Sequence, residues 1–437
     1  APEAILARCV AVAGAGGETP LGDAAARGVL ADVEALARQG RRVLAVAQSR
    51  LTAAEPDEGD LEQGFTLLGL VGIMDPPRPE AAAAIRECHS AGIRTVMITG
   101  DHAITAHAIA SNLGMVAEDA DTMTGSDLDN LAPDALPGVA ERVSVYARVS
   151  PDHKLQIVRA LQSRGAVTAM TGDGINDAPA LKSSDIGVSM GLKGTDVARE
   201  ASDMILADDN FATIVSAVRE GRIIYDNLRK FVRFMLDTNV AEVMVVATTM
   251  ALGWPVPLLP LQILWINLVT DGPPALALSM EPADSDIMKR PPRRPQEGPL
   301  SGGMPYAILL VSLAMTIAVL WLVHQGTDTG QKQTLAFTSL ALAQLMHAMT
   351  LRSLFRPVWR IPLFTNPALL AAVFGCAAAQ MAVVYIPALQ NVFDTVALSG
   401  HDLLLCLVPG IAACVAVELA KWPMRRRLLR SQAAEAR

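Results

Sequence analysis

The sequence lacks any cysteine framework. Its five cysteines (Cys9, Cys88, Cys376, Cys406, Cys414) are scattered without paired spacing, so neither a disulfide scaffold nor a zinc site can be read and reduced structural thiols are expected. It also lacks a block of basic residues, and its net charge is −8. That excludes the electrostatic footprint of a nucleic-acid-binding protein. There is no initiator Met and no signal peptide before Ala-Pro-Glu, and the chain is expected to be an excerpt starting inside a domain. Long apolar runs are missing from residues 1–230, which are mixed and charged like a soluble α/β protein, and are frequent from residue 231 onward.

In the first part, an amphipathic segment near 22–39 precedes a strand candidate at 41–47. The Pro/Asp/Glu-rich run 53–64 reads as a connecting loop. Residues 67–74 form a continuous apolar run, as expected of a strand buried on both faces. Asp75-Pro-Pro-Arg-Pro-Glu80 then breaks the pattern, because proline cannot donate to a ladder. Helix 81–91, strand 95–98 and Thr99-Gly-Asp101 follow, and the rhythm recurs as strand 144–147, helix 151–164 and strand 166–170. Strands alternating with helices predict a parallel, doubly wound sheet. Its ligands bind beyond the carboxyl ends of the strands.

Thr171-Gly-Asp-Gly-Ile-Asn-Asp-Ala-Pro-Ala-Leu181 stands at one such strand end. A Gly-rich strand-to-helix turn brings backbone amides and carboxylates to a phosphate and its metal ion. Asp173 and Asp177 are candidates, since Mg²⁺ takes a few carboxylate oxygens and keeps the rest of its shell for water and phosphate. A surface turn is the alternative, as Gly, Asn and Asp dominate turns; the length and order of the run favour the phosphate reading. Thr99-Gly-Asp101 ends a neighbouring strand and is expected to converge on the same site. Lys154, opening the helix before, can reach that crevice and neutralise phosphoryl charge; taken alone it reads as a surface lysine.

From residue 231, six spans are each roughly long enough to cross a bilayer: 234–253, 257–280, 305–324, 335–351, 367–386 and 402–421. Arg229, Lys230 and Arg233 precede the first. Lys289, Arg290, Arg293 and Arg294 follow the second, Arg352, Arg356 and Arg360 the fourth, and Arg425, Arg426 and Arg427 the sixth. The opposite loops carry only Lys332, so the basic side is expected to face the cytoplasm together with the soluble half and the C-terminus. Asn239 and Glu242 share a helix face, as do Asn267, Thr270 and Asp271. Gly272-Pro273-Pro274 is expected to interrupt the second span and free carbonyls beside protein or an aqueous cavity. Intramembrane carboxylates mark functional sites, and with amide and hydroxyl oxygens they suit a hard cation. The alternative is polar glue between helices. Gln344 and His347 in the fourth span read as packing.

Asp75-Pro-Pro-Arg78, Thr99-Gly-Asp101, Lys154, Thr171-Gly-Asp-Gly-Ile-Asn-Asp177 and Asn267-Leu-Val-Thr-Asp271 together resemble the P-type cation-transporting ATPases, most of all their calcium-pump branch. The resemblance covers the C-terminal half of such a pump. It implies that residues 1–65 end an α+β nucleotide-binding domain, in which Arg42 matches an arginine contacting ATP. Asp75 to Arg78 match the hinge strand returning from that domain, with Arg78 also assigned to the nucleotide. Residues 66–230 are implied to form a haloacid-dehalogenase-like (Rossmann-like) α/β phosphorylation domain lacking its first strand, and residues 231–437 an all-α bundle of six transmembrane helices.

By the same resemblance Asp173 is the Mg²⁺ ligand. Thr99, Gly100, Lys154 and Asn176 hold the phosphoryl group, while Asp101 and Asp177 support the site. Asn239, Glu242, Asn267, Thr270 and Asp271 are implied ligands of the transported cation. The implied activity is ATP-driven Ca²⁺ transport through a phosphoaspartate, in a bacterial plasma membrane, with Mn²⁺ or Na⁺ as the alternative ions. Magnesium transporters lack the carboxylate at Glu242, and heavy-metal pumps have only two membrane helices after the phosphorylation domain. Gln344 stands where calcium pumps with two sites carry glutamate, favouring one ion per cycle. The family's Asp-Lys-Thr-Gly-Thr and Thr-Gly-Glu motifs, actuator domain and first four membrane helices are absent. The chain by itself is therefore expected to be inactive and to need the N-terminal half of the same pump. The competing classes are a membrane-anchored phosphatase, which needs no polar face inside the membrane, and a non-catalytic fragment that binds a partner pump.

Overall fold

A computed structural model describes residues 2–14, 16–49, 63–74 and 76–435. The chain divides into two compact units, Ala1–Ala217 and Val218–Arg437.

The first unit opens with β1 (Cys9–Gly14), β2 (Gly17–Pro20), β3 (Arg42–Gln48) and β4 (Phe65–Ile73), joined in the order β2-β1-β4-β3. β4 pairs parallel with β1 and antiparallel with β3. The amphipathic segment forms helix Asp23–Arg38. β4 departs from the expectation of a strand buried on both faces. Leu67 is buried, while Leu68, Val71 and Ile73 are exposed on the other side together with Leu44 and Val46 of β3. An apolar residue reads the same whether or not a layer covers it, so the run itself could not reveal the open face. The sheet also reaches Ile73, past the boundary expected at residue 65. Asp75 and residues 53–62 of the expected loop lie outside the described residues.

Two three-stranded parallel sheets follow. One has the order β5-β7-β6, from β5 (Met97–Ile98), β6 (Thr122–Thr124) and β7 (Val145–Ala147); the other has the order β10-β9-β8, from β8 (Ala169–Gly172), β9 (Ile186–Met190) and β10 (Met204–Leu206). Every pairing in them is parallel, as the alternation of strands and helices predicts. Helix Pro151–Ser163 connects the two sheets, and its start is specified locally. Ser150 Oγ accepts from His153 N, His153 Nδ1 accepts from Ser150 N, and Pro151 fills the first turn where no N–H is needed. Tyr146 and Ile157 anchor the core between that helix and β7, and burial pushes the Tyr146 phenol up to about 12.

Asp185 ties β8 to β9, because its Oδ2 accepts from Thr168 N at 2.7 Å, Thr168 Oγ1 at 2.9 Å and Gln162 Nε2 at 3.2 Å. The Thr168 N–H foremost holds this carboxyl below its ordinary value of 3.8. A depressed folded-state pKa stabilises above the unfolded value and loses that contribution as pH falls through the folded one. Asp185→Asn is expected to lower the melting temperature by about 2 °C at neutral pH. The deficit should shrink below pH 3.8, a trend that thermal unfolding of wild type and variant across pH would check.

In the second unit every expected span is helical. Four segments are long and apolar enough to cross a membrane: Phe211–Ala251, Met304–Gln325, Pro367–Tyr385 and Gly400–Pro423. The first is one unbroken helix of 41 residues. The fourth expected span is helix Thr329–Thr350, which is long but less apolar because it buries Thr334, Thr338, Ser339, Gln344 and His347. The second is divided into helix Pro260–Trp265, a π turn over Ile266–Thr270, and helix Gly272–Leu278. The break therefore falls before Gly-Pro-Pro, and the prolines occupy the first turn of the next helix, where a missing N–H costs least. A proline cannot bond the carbonyl four residues back; for Pro273 that is Val269 O, which accepts from Cys376 Sγ at 2.9 Å instead.

Candidate functional site

In the first unit, β8 ends where the Gly-rich run begins. Asp177 is buried, and both of its oxygens are used. Oδ1 receives Lys154 Nζ at 2.5 Å, and Oδ2 accepts from Asp173 N and Gly174 N, each at 3.2 Å. Lys154 lies in the first turns of helix Pro151–Ser163, which aims it at this carboxylate. Gly172 is required, since a Cβ there would overlap the Asp177 side chain. The Asp173 carboxylate is exposed and takes part in no hydrogen bond or ion pair among the described residues. An open carboxylate beside a bonded lysine is the donor chemistry Mg²⁺ accepts.

Thr99, Gly100 and Asp101 form a second group at the end of β5. Thr99 Oγ1 donates to Asp101 Oδ2 at 3.0 Å and accepts from Asp101 N at 3.1 Å. Thr99 N donates to Tyr146 O, Arg148 N to Asp101 O, and Val149 N to Thr99 O. Arg148 holds φ +48 there, a left-handed conformation unusual for a residue with a Cβ. Residues 148–150 then lead directly into the helix carrying Lys154, so one connection serves both groups. Asn176, Arg42 and Arg78 are exposed, and no hydrogen bond joins their side chains to either group among the described residues. Arg78 faces the Asp208 and Asp209 charges and helps hold both carboxyls below the usual range, behind the hydrogen bonds from Thr213 to Asp208 and from Leu192 N to Asp209. Arg148, which the sequence does not single out, contributes its backbone N–H to the Asp101 carbonyl.

In the second unit, Glu242 meets the divided span. Asn267 Nδ2 donates to Glu242 Oε2 at 3.2 Å, and Gln344 Nε2 donates to Glu242 Oε1 at 2.7 Å. Thr270 Oγ1 donates to Gln344 Oε1 at 3.3 Å, so the amide of Gln344 bridges two of the expected ligands. Asp271 is fully buried; its Oδ2 accepts from Thr238 Oγ1 at 3.0 Å, while Oδ1 has no hydrogen-bond partner. Asn239 bonds Met235 O in its own helix and is not hydrogen-bonded to the others. Among the described residues no three His, Cys, Asp or Glu side chains gather for a metal ion. The set therefore offers two carboxylates supplemented by neutral oxygens.

Gln344, read from sequence as packing, belongs to this group. His347, read the same way, pairs through Nε2 with Asp237 at 2.9 Å; both are fully buried, and Arg233 lies 3.4 Å from the same carboxylate. The three-residue offset between Gln344 and His347 places both on one helix face, a signal available in the sequence.

Residues 6–185 match the family described as haloacid dehalogenase-like hydrolase, and residues 255–423 that described as cation transporting ATPase, C-terminus. A calcium-transporting ATPase of Bacillus subtilis (strain 168) is 48% identical over 378 residues, 85% of this chain and 42% of that protein. Calcium-transporting ATPase 1 of Bacillus cereus is 39% identical over 440 residues, 95% of this chain and 49% of that protein. Human calcium-transporting ATPase type 2C member 1 is 41% identical over 392 residues, 89% of this chain and 42% of that protein. The chain thus spans about half the length of the curated relatives it matches.

Proposed function

The chain belongs to the P-type cation-transporting ATPases, and from that membership we propose that it is the C-terminal half of an ATP-driven pump carrying Ca²⁺ across a membrane. It is an integral membrane protein; we infer a bacterial plasma membrane from the likeness to the Bacillus proteins, and from the basic loops a cytoplasmic first unit and C-terminus. The observation carrying the ion reading is the pair Glu242 and Asp271. Both are buried, Glu242 on a helix long and apolar enough to cross a membrane and Asp271 at the break in the divided second span, and Asp271 Oδ1 has no hydrogen-bond partner. Two carboxylates with Asn239, Asn267 and Thr270 oxygens balance one divalent hard cation. Neutral Gln344 adds no third charge, which favours one ion per cycle.

In the phosphate half, the described residues fit the chemistry the relatives imply. Asp173 presents the open carboxylate for Mg²⁺, which when bound supplies Lewis-acid charge at the phosphoryl oxygens. Lys154, fixed by Asp177, offers positive charge to the transferring phosphoryl group, and Thr99, Gly100 and Asn176 offer hydrogen bonds to it. Asp101 orients the Thr99 hydroxyl. Arg42 and Arg78 are the residues we assign to ATP. The sheet through Ile73 serves as the end of the nucleotide domain, the chain from there to residue 230 as the phosphorylation domain and residues 231–437 as the transport domain. The phosphorylated aspartate comes from the N-terminal half.

The test is the ATPase activity of the full pump, this chain joined to that half, measured with Ca²⁺, Mn²⁺, Na⁺ or Mg²⁺ alone. Stimulation by micromolar Ca²⁺ above the Mg²⁺ background is expected, and loss of that stimulation in Glu242→Gln. No Ca²⁺ stimulation in wild type would end the calcium reading in favour of Mn²⁺ or Na⁺.

A further inference from the structure

The loop after β9 touches the candidate Mg²⁺ carboxylate from behind. Thr195 N donates to Asp173 O at 2.9 Å. This is the tertiary backbone bond that holds the Asp173 peptide from outside its own turn. Thr195 is itself fixed, because its Oγ1 accepts from Ala198 N and caps helix Asp196–Glu200. At its other end one side chain accepts from two of its amides. Asp209 Oδ1 accepts from Leu192 N and Oδ2 from Lys193 N, both at 2.9 Å. Arg199 Nη1 donates to Gly191 O and Gly191 N to Leu206 O, each at 2.9 Å, so both ends of β9's exit are bonded. No side chain is tolerated at Gly191, where a Cβ would stand 2.7 Å from Leu206 O.

Asp209 is buried, holds φ +51, and stands two residues before the 41-residue helix Phe211–Ala251. Its neighbour Asn210 starts that helix: Asn210 Oδ1 accepts from Ala212 N at 2.9 Å, and Asn210 Nδ2 donates to Glu80 Oε1 at 3.2 Å. A buried aspartate in a left-handed conformation with both oxygens bonded to one loop is a costly arrangement, kept where the surrounding structure over-determines it. The Leu192 N–H foremost holds its carboxyl below the usual range, so it bonds as the charged, stronger acceptor.

We propose that Asp209 is a positioning residue, fixing the Gly191–Thr195 loop, and through Thr195 the Asp173 main chain, to the head of the helix that carries Glu242. The inference rests on the reading of Asp173 as the Mg²⁺ ligand. Groups that only orient a metal ligand typically change metal affinity 10- to 100-fold when removed, a range expected here near its lower end, about tenfold.

The experiment compares wild type with Asp209→Ala, Asp209→Gly and Asp209→Asn in the full pump. Two Mg²⁺ titrations are read: thermal stabilisation without ATP, and phosphoenzyme formation at saturating Ca²⁺. Asp209→Ala is expected to raise the half-saturating Mg²⁺ concentration about tenfold in both, with the Ca²⁺ dependence unchanged within about twofold. Asp209→Gly, which relieves the positive φ but removes the carboxylate, should behave like Asp209→Ala. Asp209→Asn keeps one acceptor and tolerates the left-handed backbone, and should recover most of the Mg²⁺ response. Wild-type Mg²⁺ response in Asp209→Gly would assign the effect to backbone strain and overturn the proposal. A lower melting temperature with unmoved Mg²⁺ titrations would overturn it too, as would failure of Asp209→Asn to recover. If wild type forms no phosphoenzyme the pump reading falls, while the thermal titration still decides the role of Asp209.

Discussion

Asp271→Asn is expected to raise the half-saturating Ca²⁺ concentration for phosphoenzyme formation in the full pump by at least about a hundredfold. Asp271 is fully buried, and one of its oxygens bonds only Thr238 Oγ1 while the other has no hydrogen-bond partner. Leaving a buried charge uncompensated costs about 3–5 kcal/mol, equivalent to about two to four decades in affinity. A cation at this position would compensate it. Asparagine keeps the shape and can still accept from Thr238, but it withholds the charge. The same change should leave the cation-free protein equally stable or more stable, because it removes a buried unpaired carboxylate. Weaker Ca²⁺ response together with undiminished melting temperature is the signature of a ligand. Polar glue between helices would give the opposite pair, a fall in melting temperature with the Ca²⁺ response retained.

Lys154→Ala is expected to slow phosphoryl transfer from ATP by about 10²- to 10³-fold, the range for removing one preorganised positive donor from a reacting centre. Ca²⁺ affinity should not change. Nζ lies 2.5 Å from buried Asp177, so the substitution also strands a carboxylate and should cost about 1–3 kcal/mol of stability. The two effects separate in Lys154→Ala combined with Asp177→Asn, which should recover stability but not rate. Lys154→Arg is not expected to rescue transfer, since a planar fork cannot replace a compact ammonium in so short a contact. Single-turnover phosphorylation and thermal unfolding of the same preparations would check all four proteins. Recovery of rate in the double variant would show that Lys154 acts only through folding.

What was legible in the sequence was what repeats or what has no competing use. The alternation of strands and helices predicts parallel pairing, and β5 to β10 pair that way. Positions 99–101 and 171–177 could be placed at strand ends because glycine and proline mark the turns. Coverage of a surface was not legible: β4 is as apolar as a two-sided strand, yet Leu68, Val71 and Ile73 face outward. The π turn at Ile266–Thr270 was also hidden, because Gly272-Pro273-Pro274 advertised a break one step later than it occurs.

Long-range partners were the least visible. Gln344 reaches Glu242 across 102 positions and His347 reaches Asp237 across 110, separations that no local pattern encodes. No sequence pattern singles out Asp209. Its left-handed φ and two backbone bonds exist only once β9 and the loop after it are folded.

The most direct measurement is ATP-dependent uptake of radioactive Ca²⁺ into sealed vesicles containing the full pump, wild type against Glu242→Gln. The account predicts uptake that needs ATP and Mg²⁺, is discharged by a Ca²⁺ ionophore, approaches one Ca²⁺ per ATP hydrolysed, and is lost in Glu242→Gln. ATP hydrolysis without Ca²⁺ uptake, or uptake that survives Glu242→Gln unchanged, would contradict it.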